Sequence, residues 1–151
     1  MTYDDFLNSK VCVAEDSGFD VSDDEISPCL KPHQREAVKW ACKGGRRALF
    51  ESFGLGKTVQ ELEFCRLVIK HNGGRALLVL PLGVRQEFTH DAVNLLGIAP
   101  PKYVRTMDEI KNCEDQICMT NYERVRDGDI DPQYFSCVCL DEASVLRSFG
   151  S

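Results

Sequence analysis

The chain has no apolar run of 18 or more residues among its 151, so the sequence offers no membrane-spanning helix. Its start, Met1-Thr-Tyr-Asp-Asp, is acidic and lacks the apolar segment of a secretory signal. None of the eight cysteines forms a C-x-x-C pair, and the three histidines (His33, His71, His90) are scattered. Those spacings argue against a zinc framework. Cys137 and Cys139 alternate with apolar residues and Cys42 and Cys65 fall on apolar helical faces, the pattern of small core fillers. Reduced thiols in the cytoplasm are expected. There is also no internal repeat, no low-complexity tract and no strong basic stripe. Net charge is −6, with eight acids against one base in residues 1–29 and 17 bases against 16 acids in the rest. An acidic leader therefore precedes a nearly neutral body, which is not the electrostatic footprint of a free-standing nucleic-acid binder.

What is present is a length suited to one domain, with 43% hydrophobic residues to fill a core. The most informative stretch is Phe53-Gly-Leu-Gly-Lys57-Thr58, preceded by the apolar Arg47-Ala-Leu-Phe-Glu51. It reads as a strand, a glycine turn, then Lys-Thr opening a helix, the layout of a phosphate-binding loop. Gly54 and Gly56, flanking Leu55, would let the backbone wrap closely around a phosphate chain. N–H groups at the helix start would point at the anion. Lys57 is the candidate for the outer phosphates and Thr58 for Mg²⁺. The longer G-x-x-x-x-G-K-[ST] pattern fails at its first position, where Glu51 stands.

Downstream, the apolar run Cys137 to Leu140 ends in Asp141-Glu142. Mg²⁺ is a hard ion that takes oxygen ligands and keeps several waters, so a carboxylate at a strand end can hold it. A second carboxylate beside it can orient or deprotonate an attacking water. Asp141 is the candidate metal residue and Glu142 the candidate base.

Strands and helices alternate along the chain. Ser22 to Glu25 reads as a solvated turn, and a short helix is placed around Tyr3 to Ser9. A helix opens at Pro32, runs to Lys43 and ends at Gly44-Gly45. A strand over 47–51, a helix from Lys57 to about Ile69, and a doubly buried strand Arg75 to Leu80 follow. A helix is expected over Gly83 to Leu96, then a strand over Lys102 to Arg105, a helical turn or two from Met107 to Asn112 and a strand over Gln116 to Thr120. Asp127 to Pro132 is a loop and 136–141 the acidic-tipped strand. This alternation predicts an α/β layered fold with a largely parallel sheet. Both the glycine loop and Asp141-Glu142 fall at carboxyl ends of strands, where such sheets bind ligands.

In order along the chain, these residues resemble the front half of the first RecA-like lobe of superfamily 2 helicases, closest to Swi/Snf-type translocases and the DEAD/DEAH-box helicases of phages and prophages. Leu30-Lys-Pro32-His-Gln34 is similar to the family's adenine-recognition segment, which makes Gln34 the adenine reader. Ser52 to Thr58 matches motif I, which in this family does not need the first glycine. Leu80-Pro81-Leu82 with Arg85 and Phe88 resembles motif Ia, and Thr120-Asn-Tyr122-Glu123 resembles motif Ib. Asp141-Glu-Ala-Ser144 is similar to motif II in a DEAS form. The resemblance covers about residues 30–148, and weakly the leader.

It implies a P-loop NTPase with a RecA-like three-layer sandwich, binding ATP and Mg²⁺. Lys57, Asp141 and Glu142 would be catalytic. Gln34, Gly54, Leu55, Gly56, Lys57 and Thr58 would hold the nucleotide, and Thr58 and Asp141 the metal. Pro81, Arg85, Thr120 and Tyr122 would lie on the nucleic-acid side, with DNA as the expected partner and RNA as the alternative. The chain stops ten residues past Asp141, so the expectation is a lobe truncated after motif II. Motif III and the second lobe, with its arginine finger, would have to come from elsewhere. Without the motif III strand the sheet should show a gap or an exposed edge. Two further readings stand beside this one: another P-loop enzyme such as a small kinase, or a non-catalytic nucleotide-binding or decoy interaction protein.

Overall fold

The computed structural model describes residues 2–5, 15–46 and 56–141. Helix α1 spans Pro32–Gly44 and α2 spans Lys57–Asn72. Strand β1 (Ala76–Val79) leads into a 3-10 turn at Leu82–Val84 and helix α3 (Arg85–Asp91), which widens into a π-helical turn at Ala92–Leu96. Then come β2 (Lys102–Tyr103), α4 (Met107–Asn112), β3 (Ile117–Thr120), α5 (Tyr122–Arg126), a 3-10 turn at Pro132–Tyr134 and β4 (Cys137–Leu140).

The four strands form one sheet in the order β2-β3-β1-β4, and every pairing is parallel. In register, Ala76 lies opposite Ile117 and Cys137, and Val79 opposite Thr120 and Leu140. The chain is thus an α/β protein built on an all-parallel sheet, with helices on both faces. Ala76, Leu78 and Leu80 pack on one face with Leu62 and Cys65 of α2 and Phe88 of α3. Leu77 and Val79 pack on the other with Val104, Ile110 and Tyr122. All four residues of β1 are buried, which is why its sequence is a continuous apolar run without polar alternation. Burying one Leu or Phe here contributes about 1.5–3 kcal/mol. Truncating the fully buried Leu78 to alanine would cost about 2–5 kcal/mol. Because the strands are parallel, their carboxyl ends share one edge, carrying Pro81, Arg105, Asn121 and Asp141.

Glycines set the helix limits. Gly45 ends α1 with φ 76°, its N–H donating to the Ala41 carbonyl, and Gly73 ends α2 with φ 71°. β2 and β4 are the two edge strands among the described residues, and Leu140 at the end of β4 is 47% exposed. No helix among the described residues is long and apolar enough to cross a membrane.

Three features go beyond the sequence expectations. The first is in the leader, where residues 17–19 donate their backbone N–H groups to the carbonyls of Gly44, Lys43 and Cys42. Those bonds satisfy carbonyls that the end of α1 leaves open. Ile26 and Leu30 are buried with Val38, Cys42, Val59 and Leu67, so this part shares a core with α1 and α2. Ser22 to Glu25 is the solvated turn that was expected, and Glu25 at its end accepts from the Ser22 backbone N–H and faces Lys70 and His71. The Ser22 amide, then Lys70, bring its carboxyl down to about 2. The second is α5, a helix where none was expected. The third is that the helix expected over Gly83 to Leu96 forms as three successive helical geometries. The expected strand over 47–51 lies outside the described residues, as does most of the helix around Tyr3 to Ser9.

Candidate functional site

Gly56 is the hinge of the site. It adopts φ 76°, ψ 41° as the residue before α2, a left-handed conformation that glycine takes without steric cost. A second constraint also demands glycine there: a Cβ on Gly56 would overlap the Gln34 side-chain Nε2. The Gly56 carbonyl accepts from the Gln60 backbone N–H at 3.3 Å and from Gln60 Nε2 at 3.4 Å, so the buried Gln60 fixes the turn from behind. Lys57 and Thr58 follow as the first residues of a 16-residue helix, with N–H groups that have no intrahelical acceptor.

Gln34 reaches the turn from α1. It is only 6% exposed, and its Oε1 accepts from the Lys31 backbone N–H at 2.8 Å, closing the first turn of α1. The amide oxygen is thus partly engaged in a cap, and the amide nitrogen lies against Gly56.

Asp141 stands at the end of β4. Its N–H donates to the Val79 carbonyl at 2.8 Å, and its own carbonyl accepts from the Tyr122 hydroxyl. Glu61, one turn along α2 from Lys57, connects the two halves. Burial, then the Asp141 charge, push its carboxyl up to about 8 against the opposing effect of Lys57. Its Oε2 is buried and has no hydrogen-bond partner among the described residues. The sequence reading missed Glu61; its i, i+4 spacing from Lys57 was the available signal.

The structure thus brings Gln34, Gly56, Lys57 and Thr58 to one turn, with Asp141 within electrostatic reach of Glu61 beside it. Gly54, Leu55 and Glu142 lie outside the described residues. No family model matches the chain, and no curated protein matches it.

The four residues assigned to a nucleic-acid side divide. Pro81 precedes the 3-10 turn at the carboxyl end of β1. Arg85 stacks its guanidinium 4.0 Å from the centroid of the Tyr103 ring, and the Tyr103 hydroxyl bonds Asn121 Oδ1 at 3.1 Å. Thr120 is fully buried and donates its hydroxyl to the Val104 carbonyl at 2.8 Å. Tyr122 is 5% exposed, with its ring in the core under β1 and β3.

Chemically, a glycine turn at a helix start, a lysine and a hydroxyl suit an anion. The Thr58 hydroxyl and Asp141 carboxylate are oxygen donors, the set a hard divalent cation prefers. Glu61, with its burial-raised carboxyl, adds little competing negative charge at neutral pH.

Proposed function

We propose that this chain forms the ATP-binding part of a RecA-like lobe, of the kind used by superfamily 2 helicases and translocases to couple ATP hydrolysis to movement on DNA. The observation that carries the reading is the packing of Gln34 against Gly56. It joins a glutamine from a Leu-Lys-Pro-His-Gln segment to a glycine turn that opens a helix with Lys-Thr, as an adenine reader beside a phosphate loop requires.

In this reading Lys57 and the first N–H groups of α2 hold the phosphates, and Thr58 and Asp141 hold Mg²⁺. The ion would neutralise charge on the phosphate oxygens. Glu142 is assigned as base by resemblance to motif II. Pro81 and Arg85 remain the nucleic-acid side, while Thr120 and Tyr122 support the sheet behind it. An all-parallel sheet with Asp141 at a carboxyl end supports the assignment, because ligands of such sheets sit there.

The test is nucleotide choice. Gln34→Glu keeps the acceptor that caps α1 and removes the amide donor. Its added charge affects every nucleotide alike, so the ratio of affinities is the readout. Wild type should prefer ATP to GTP, and the variant should lose roughly tenfold of that preference, the worth of about one hydrogen bond. Equal affinity of wild type for both nucleotides would remove Gln34 from the adenine role and favour a different P-loop enzyme.

A further inference from the structure

Three thiols meet where α2 crosses β4. Cys65 is fully buried on α2, and its sulfur lies 3.7 Å from that of Cys139. Cys137, two residues earlier on β4, lies on the same face of the strand and packs with both in one cluster. Cys42, by contrast, sits in a different core cluster between α1 and α2, which holds no second sulfur among the described residues. The cluster is not sealed, since Cys137 and Cys139 are only partly buried.

We propose that Cys65 and Cys139 form a reversible disulfide, a redox-sensitive staple between α2 and β4. The two sulfurs must approach from 3.7 Å to about 2.05 Å, within reach of a small rotamer adjustment. Cys137 and Cys139 are poor partners for each other, because neighbours on one face of a strand are held about two residue rises apart.

The oxidant is a low-molecular-weight disulfide such as oxidised glutathione. Cys139 loses its proton to water as its sulfur attacks one oxidant sulfur and expels the other as a thiolate, which takes up a proton from water. Cys65 then attacks the mixed disulfide, and its proton goes with the second departing thiol. Two protein S–H bonds are lost, one S–S bond forms, and one oxidant disulfide becomes two thiols. The inference rests on the fold alone. Its consequence for the proposed site is positional: the bond would join the helix that begins at Lys57 to the strand that leads directly into Asp141.

The test uses the whole chain, fully reduced, then equilibrated with oxidised glutathione and mapped by mass spectrometry without reduction. The expected result is a loss of two hydrogen atoms, a linked peptide pair containing Cys65 and Cys139, a thermal midpoint above that of the reduced protein, and reversal by dithiothreitol. Cys139→Ala should abolish this link and Cys29→Ser should keep it. If Cys139→Ala fails to fold, the wild-type map decides. A stable glutathione adduct on Cys137, a link between any other pair in place of Cys65–Cys139, or no link at all would overturn the proposal.

Discussion

Tyr122 donates its phenolic hydroxyl to the main-chain carbonyl of Asp141, tying the tip of β4 to the start of the helix after β3. The bond explains why an aromatic residue near a loop is buried, and it gives Tyr122 a positioning role. Tyr122→Phe should keep the ring in the core and cost about 1 kcal/mol, the net worth of one hydrogen bond. Urea denaturation reads this directly. Under the proposed function the same variant should also weaken Mg–ATP binding a few-fold, because Asp141 loses its anchor. Unchanged stability would mean that the hydroxyl bonds only solvent.

Glu63 is fully buried and ion-paired with Arg66, and its Oε1 also accepts from the Ser27 backbone N–H at 3.1 Å. Arg66 in turn donates to the Glu25 carbonyl at 2.6 Å. Arg66→Ala should therefore destabilise by about 3 kcal/mol, because it strands a buried carboxylate. The loss should be accompanied by faster amide exchange at Ser27, and Glu63→Gln in the same background should recover part of the stability. A loss below about 1 kcal/mol would show Glu63 to be solvated, as exposed pairs are.

Glu61 makes a pH-dependent contribution whose sign is fixed. Its folded-state carboxyl is raised from 4.5 to about 8, so between those values the folded protein holds a proton that the unfolded chain has released. Stability from this group is full below pH 4.5 and declines as pH rises towards 8, by at most about 1.4 kcal/mol per pH unit. Glu61→Gln should remove that slope. In metal-free buffer the variant should gain stability over wild type steadily from pH 5 to pH 8. Parallel stability curves for the two proteins would contradict the assigned burial.

The sheet was legible because its chemistry is local. Arg75 to Leu80 and Gln116 to Thr120 are short apolar runs between turn residues, and doubly buried parallel strands carry that pattern. The limits of α1 and α2 were legible from Pro32, Gly45 and Gly73, which act through backbone geometry. Helix α5 was not, since Tyr122–Arg126 is one charged turn with only Tyr122 and Val125 to mark a face. The leader misled through its charge: eight acids draw attention from Phe19, Val21, Ile26 and Leu30, which pack into the third core cluster. At the site, Gln34, Gly56, Lys57 and Asp141 were visible as motif residues. The burial of the Thr120 and Tyr122 side chains was not visible, because motif order carries no information about which way a side chain turns. Glu61 was overlooked because its significance comes from Asp141, 80 positions later in the sequence.

The central claim is that Gly56, Lys57 and Thr58 hold a nucleotide phosphate chain. The most direct measurement is an equilibrium titration of Mg–ATP into the wild-type protein and Lys57→Ala, with circular dichroism to compare their folds. Wild type should bind saturably, and Lys57→Ala should bind roughly 10–100-fold more weakly with the same fold, the worth of one charge-assisted contact. Equal affinity in the two proteins, or no binding by the folded wild type, would contradict the account.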